Sequence, residues 1–386
     1  MNVAAAVSRR ITSLGRRGWR RIRRGLLMSS QQRAQDRAAR AKLLPLVDES
    51  ILNAFAPGII ELGNRMQQDD RPVVVGPWVS ELGFEVLYWV PFVKWFVERF
   101  NIAPRRLIFV SRGGMGAWYD RAAWDGAPRY VDLFSMMSPD AYRQQNANRW
   151  QRSGGQKQPD TDRFETDILR QVTGQPSLAA HHLLHPGAMY NFFRVCWTHH
   201  RRLSIGVDAV MRHTCFEPLQ RLPPWTGVAL PVSFVAVKFY DRPTFQRTPE
   251  TVAGTERLLR QIAESRPVIS LDTAFETDEH ATFPLPRHPN IVSARDWMLP
   301  ATNLHSQTQL LAAADCFIGT YGGTAYMPPF VDTPSFGLYV EDGNLNFVHQ
   351  LVAMRASQIL GRGVTLLSLA DCGLFADVIA GNSGAN

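Results

Sequence analysis

Asp315-Cys-Phe-Ile-Gly-Thr-Tyr-Gly-Gly-Thr-Ala-Tyr-Met-Pro-Pro-Phe330 reads as a buried strand, a glycine-rich turn and the start of a helix near Thr324. Cys316, Phe317 and Ile318 form the apolar run, Gly319 closes it, and Gly322 and Gly323 allow positive φ values that a Cβ resists. A strand feeding a helix through such a turn leaves backbone N–H groups pointing outward, with the positive end of the helix dipole behind them. That predicts an anion site, with phosphate the usual occupant and the hydroxyls of Thr320, Tyr321 and Thr324 beside it. The spacing fits neither GxGxxG nor GxxxxGK[ST], which disfavours a plain dinucleotide or P-loop site. A tight turn needing glycine for geometry alone is the competing reading.

The sequence around this stretch repeats its rhythm. Strands are expected at residues 233–240, 267–272, 290–293, 334–340 and 364–369, with helices at 248–265, 302–314, 346–360 and 371–380. Strands alternating with helices imply a parallel sheet with right-handed crossovers. Upstream, Pro72-Val-Val-Val-Gly-Pro-Trp78 is a strand and loop, and a helix runs from Val79-Ser-Glu-Leu-Gly-Phe-Glu85 to Phe100, kinked at Pro91. This helix is apolar nearly all round and hence buried, with Lys94 and Glu98 paired on its wet edge. Residues 106–111 form a further strand, and Arg112-Gly-Gly-Met-Gly116 places another glycine loop at a sheet edge. Residues 144–158 read as an exposed loop, and the proline-rich run Leu222–Pro231 as an interdomain linker. A chain of 386 residues exceeds what one core supports. The expected organisation is a tail (1–45), an α/β domain (46–230) and a second α/β domain (231–386).

Charge is unevenly placed. Residues 1–45 hold eleven Arg and one Lys against one Asp, a net of +11, so of the chain's +8 the remaining residues carry −3. The acidic body argues against a nucleic-acid groove. On a helical wheel, Ile11, Leu14, Trp19, Ile22 and Leu26 share one face within about 80° of Ile11, and eight arginines between Arg9 and Arg24 share the other. This pattern suits a helix lying on an anionic membrane through residues 9–28; a disordered basic arm or a targeting presequence would show the same charge. Cys196, Cys215, Cys316 and Cys372 lack metal-ligand spacing and fit reduced thiols in a cytoplasmic protein. No apolar run is long enough to span a bilayer.

The chemistry gathers at strand ends. Val237-Lys-Phe-Tyr-Asp-Arg-Pro243 puts Lys238, Asp241 and Arg242 where a parallel sheet presents ligand groups, with a surface salt bridge to Asp241 as the bland alternative. Glu81 and Glu85 open the buried helix on the side opposite Lys94, as dipole caps or as a desolvated general base.

These residues carry a resemblance. Lys238 and Arg242 after the first strand of the second half, Asp315-x-x-Ile-Gly-Thr-Tyr-Gly-Gly-Thr-Ala-Tyr326, and Pro334-Ser-Phe-Gly-Leu-Tyr339 look like the donor domain of GT-B-fold glycosyltransferases, in particular bacterial heptosyltransferases and fucosyltransferase-like enzymes. Gly76-Pro-Trp-Val-Ser-Glu-Leu-Gly-Phe-Glu85 is similar in placement to the loop opening their acceptor domain. The resemblance covers most of residues 70–380, although Tyr321-Gly-Gly stands where heptosyltransferases usually place Asp-Thr-Gly and then His. It implies two Rossmann-like domains facing across a cleft. It also implies metal-independent sugar transfer from a nucleotide-sugar donor, which is a substrate, so that no cofactor is expected. The donor diphosphate would lie on Gly319, Thr320, Tyr321, Gly322, Gly323 and Thr324 with Lys238, Asp241 and Arg242, and Glu81 or Glu85 would act as base. The expected acceptor is a lipid-linked or cell-envelope glycan, met by a peripheral protein at the inner face of the membrane. A catalytically silent scaffold of the same fold would share every one of these features.

Overall fold

The structure is a computed structural model of the chain and describes residues 49–153, 155, 157–174, 178, 180–198, 203–275, 281–342 and 345–373. The basic segment, with its expected amphipathic helix over residues 9–28, lies outside the described residues, as does the end of the expected helix at 371–380. The described residues from 52 onward form one compact unit.

Two parallel sheets segregate on either side of the proline-rich run. The first contains β1 (Val73–Val75), β2 (Leu107–Ser111), β3 (Arg129–Asp132) and β4 (His182–Leu184), in the order β3-β2-β1-β4. The second contains β5 (Val235–Lys238), β6 (Val268–Ser270), β7 (Ile291–Ser293), β8 (Cys316–Thr320), β9 (Ser335–Tyr339) and β10 (Val364–Ser368), in the order β10-β9-β8-β5-β6-β7. This is the doubly wound order, in which the chain starts in the middle, moves to one edge and returns to build the other. Each sheet therefore has a switch point, between β1 and β4 in the first and between β5 and β8 in the second. Loops leave a switch point in opposite directions and open a crevice at the carboxyl ends of the strands.

Helices α1 (Glu49–Gln67), α2 (Val90–Arg99), α3 (Pro139–Ser153), α4 (Arg163–Thr173), α5 (Pro186–Thr198) and α6 (Leu203–Arg212) belong to the first half. Helices α7 (Pro249–Ala263), α8 (Asn303–Ala313) and α9 (Phe347–Leu360) belong to the second. The capping chemistry is local: Thr248 accepts from Thr251 N–H at the start of α7, with Pro249 at the first helical position. Asp162 and Glu165 form a reciprocal capping box on α4. Val235, Val237, Ile318 and Leu338 of the sheet pack against Leu258, Leu259 and Ile262 of α7 as the core of the second half.

Several elements differ from expectation for identifiable reasons. The segment leading into α2 is an α turn (Leu82–Phe84) and a π turn (Glu85–Trp89), with Val90 N–H donating to Glu85 C=O. Pro91 has no N–H to offer the preceding turn, and the widened turn stands where that loss falls. Lys94 is buried and pairs with Glu217 at 3.1 Å, whereas Glu98 pairs with Arg121 at 3.3 Å. Burial pulls the Lys94 amine below its ordinary value and Glu217 pushes it back. Residues 139–153 are helical where part of an exposed loop was expected, and the glycine turn at Gly322 leads into 3-10 turns (Gly323–Tyr326 and Pro328–Val331), with no α-helix. Pro328 and Pro329 lack the N–H groups that a second helical turn would use. The helix-dipole component of the expected anion site is therefore absent.

Helix α9 belongs in sequence to the second half but packs against α6 of the first, where Arg355 reaches Asp208 at 2.6 Å. His349 of α9 meets the Tyr88 hydroxyl through Nδ1 at 2.5 Å, edge-on to the Phe84 and Trp197 rings. Burial among these rings, with the Lys157 ammonium nearby, pushes the imidazole down to about 3. A folded-state value below the unfolded 6.5 means the neutral ring stabilises the fold above pH 6.5, and this contribution is lost as pH falls. Below pH 6.5 the wild type should lose up to about 1.4 kcal/mol per pH unit relative to His349→Gln. Urea midpoints for both proteins across pH 7 to 4 check this, and parallel curves would contradict it.

Candidate active site

The site is assembled from the two switch points. From the first, Gly76–Glu81 leaves β1 and is held by a buried polar frame. Trp78 N–H donates to Val110 C=O at 2.9 Å, and Val79 N–H donates to the Gln158 amide oxygen at 2.9 Å. Gln158 donates back to Pro77 C=O at 2.8 Å. Arg149 donates to Val79 C=O at 3.1 Å, Arg112 donates to Ser80 C=O at 2.7 Å, and the Ser80 hydroxyl meets Tyr190 at 2.8 Å. Five backbone groups of the loop thus have fixed partners, which places Glu81 as the residue before the first helical turn.

From the second switch point come Lys238, the last residue of β5, and Arg242 in the loop after it. Glu81, Leu82 and Gly83 of the first half and Lys238, Tyr240, Arg242, Asn303, Gln307, Gly323 and Thr324 of the second line one cavity of about 50 Å³, with Thr273, Thr282 and Leu304 completing its wall. Lys238 Nζ donates to the Gln307 side-chain oxygen at 2.7 Å. Arg242 Nη2 lies 3.3 Å from Glu81 Oε2, an ion pair across the cleft. Beside it the two backbones touch. A Cβ on Gly83 would lie 2.9 Å from Gly323 Cα, so both positions need glycine.

The cavity thus gathers Glu81, Lys238, Arg242, Gly323 and Thr324, and leaves other candidates outside. Glu85 is fully buried and does not line the cavity: Ser111 and Tyr119 donate to its Oε1 at 2.6 and 2.7 Å, and Arg112 donates to Oε2 at 2.8 Å. Desolvation pushes its carboxyl above the ordinary range, opposed chiefly by Arg112. Asp241 is exposed and accepts from Arg247 N–H at 2.9 Å, closing its own turn. Thr320 is buried in β8, where its hydroxyl accepts from Tyr240 N–H and donates to Tyr240 C=O, both at 3.0 Å. Gly319 is a buried residue of β8, and Tyr321 turns away to pack edge-on against Tyr326 at 5.7 Å. Gly322, at φ 147°, shapes the turn next to the Tyr240 hydroxyl. The Arg112–Gly116 loop joins the two halves: His305 N–H donates to Gly113 C=O at 2.9 Å, and Cβ atoms on Gly113 or Gly114 would strike Asn303 or His305.

Gln307, Asn303 and Thr282 were not foreseen as lining residues. Gln307 and Asn303 sit four apart on the expected helix α8, so a polar stripe on a helix beside the glycine turn was the available signal. Among the described residues, no group of three or more His, Cys, Asp or Glu is placed to hold a metal ion.

No family model matches the sequence, and no curated protein does. Solved structures do resemble the fold. The E. coli heptosyltransferase WaaC with ADP-2-deoxy-2-fluoro heptose is 14% identical, with a TM-score of 0.42 over 81% of this chain and 100% of that one. The iron-containing dodecameric glycosyltransferase TibC from enterotoxigenic E. coli is 13% identical, with a TM-score of 0.38 over 70% of this chain. This chain spans 60% of the TibC length. A putative UDP-N-acetylglucosamine 2-epimerase from Listeria monocytogenes is 10% identical, with a TM-score of 0.39 over 81% of this chain and 89% of that one. The architecture of this chain rests on its own strand order, two doubly wound parallel sheets whose strand ends line one cavity.

The burial of Glu85 has a measurable consequence. Glu85→Gln leaves the Arg112 charge buried without its counter-charge and should destabilise the protein by about 3 kcal/mol or more. Glu98→Gln, at an exposed ion pair, should change stability by less than about 1 kcal/mol. Chemical denaturation of the two variants checks the contrast.

Proposed function

We propose that the protein is a glycosyltransferase that seats the diphosphate of a nucleotide-sugar donor between Lys238 and Arg242 and uses Glu81 as general base on the acceptor hydroxyl. The observation that carries this reading is the cavity itself, in which two cations at the second switch point face one carboxylate from the first. As the acceptor oxygen attacks the anomeric carbon, its proton passes to Glu81 and the bond from that carbon to the diphosphate oxygen breaks. The charge left on the nucleoside diphosphate falls to Lys238 and Arg242, with Thr324 and the Gly323 backbone beside them. In this reading the cations supply the neutralisation for which other transferases use a metal, and no cofactor takes part. The proposed acceptor is a lipid-linked or cell-envelope glycan at the inner face of a bacterial membrane.

Purified protein should bind a nucleoside diphosphate and slowly hydrolyse one member of a nucleotide-sugar panel. Lys238→Met should weaken diphosphate binding about tenfold or more, and Glu81→Gln should lower transfer by about 10²-fold or more. A folded sample that binds none of the nucleoside diphosphates would sink the proposal. The arginine face of residues 9–28 supports membrane docking. Removal of residues 1–45 should abolish sedimentation with anionic vesicles while leaving diphosphate binding intact.

A further inference from the structure

The ion pair between Glu81 and Arg242 poses a problem for the site just described, because the proposed base and a proposed phosphate ligand already occupy each other. Among the described residues, the hydrogen-bond partner found for the Glu81 carboxylate is Arg242, and no side-chain cap bond holds it to the helix that it precedes. Both side chains are about one-fifth exposed, so the pair lies at the mouth of the cavity and is accessible to an entering anion. The cavity is also small. About 50 Å³ holds three or four waters, against the roughly 300 Å³ or more of pockets that enclose a small ligand.

We propose that Glu81–Arg242 is a latch in which the donor's diphosphate and the Glu81 carboxylate compete for the same guanidinium. Resting on the proposed function, this gives Arg242 Nη2 two alternative anions. Without donor it holds Glu81 and closes the cleft beside the Gly83–Gly323 contact. When a diphosphate takes Arg242, assisted by Lys238 on the far wall, Glu81 is released to face the acceptor. The carboxylate thereby becomes available as a base only when the group to be transferred is in place. No covalent step is involved; one charge-assisted contact replaces another.

Competition makes an opposite-signed prediction from simple loss of a site residue. Titrated calorimetrically with inorganic pyrophosphate, full-length Glu81→Gln should bind about two- to fivefold more tightly than the wild type, because the competitor is gone. Glu81→Ala should do the same, which guards against a new glutamine–arginine hydrogen bond. Arg242→Gln should bind more weakly, and Glu81→Gln/Arg242→Gln should bind no better than Arg242→Gln. Unchanged or weaker binding by both Glu81 variants overturns the latch while leaving the donor site standing. A gain from Glu81→Gln that persists without Arg242 also overturns it, since general repulsion would then be the cause. Absence of pyrophosphate and nucleoside diphosphate binding in every variant, wild type included, removes the donor reading itself.

Discussion

A carboxylate and a guanidinium with no access to water, Glu85 and Arg112, fix the geometry on which the cleft depends. Such a pair is tolerable when most of its remaining hydrogen-bonding capacity is met, because desolvation of each ion removes several kcal/mol. Here Ser111 and Tyr119 complete the carboxylate, and the second arm of Arg112 takes the carbonyl of Ser80. The pair therefore ties the end of β2 to the first helical turn and to the residue before Glu81. Moving Glu81 would mean leaving a buried charge incompletely solvated, which is a stiffer constraint than apolar packing would provide.

Sheet topology supplies the other half of the arrangement. The doubly wound order puts Lys238 at the end of a central strand, next to the end of β8, where the chain turns through Gly322 and Gly323. The second sheet brings cations and backbone to the cleft, and the first brings a carboxylate. The anion site proposed at the turn would differ in origin from that expected of a glycine loop on a helix. It would rest on side-chain cations and the Thr324 hydroxyl, since Pro328 and Pro329 leave only short 3-10 turns behind it.

The strands of the second half were legible as apolar runs bounded by glycine and proline, and with them the parallel α/β class. Strands β3 and β4 were not, because Arg129-Tyr-Val-Asp132 and His182-Leu-Leu184 are short outer strands without a continuous apolar run. Helix α3 escaped notice for a different reason. Its buried face is Tyr142, Asn146 and Arg149, polar residues at helical spacing whose burial follows from hydrogen bonds to each other and to Val79, and hydropathy is blind to that. Glu81 and Glu85 were inseparable in sequence, being one turn apart. Their divergence depends on Arg112, a partner 27 residues further on. Thr320 looked like a ligand by composition, yet its position inside a strand turns its hydroxyl to Tyr240.

The two sides of the cleft are joined with unequal strength, and this bears on how a donor larger than the cavity would enter. On the α8 side, His305 N–H donates to Gly113 C=O, Trp118 Nε1 donates to the buried Thr308 hydroxyl at 3.1 Å, and Phe330 packs edge-on against Trp118. Parting those groups would strand buried donors and acceptors, each worth about 1–3 kcal/mol when left unmade. At Glu81 itself, the described contacts between the halves include a partly exposed ion pair and two glycines in van der Waals contact, while further along the same segment Phe84 and Tyr88 are held against His349. An exposed pair contributes about 0.2–1 kcal/mol, and glycines bring no side chain to interlock. The weaker contacts are thus local to Glu81 and Gly83, where the proposed latch lies. In the proposed reading, a diphosphate meeting two cations would more than offset the loss of one exposed ion pair, so the ligand itself would drive the exchange at Arg242.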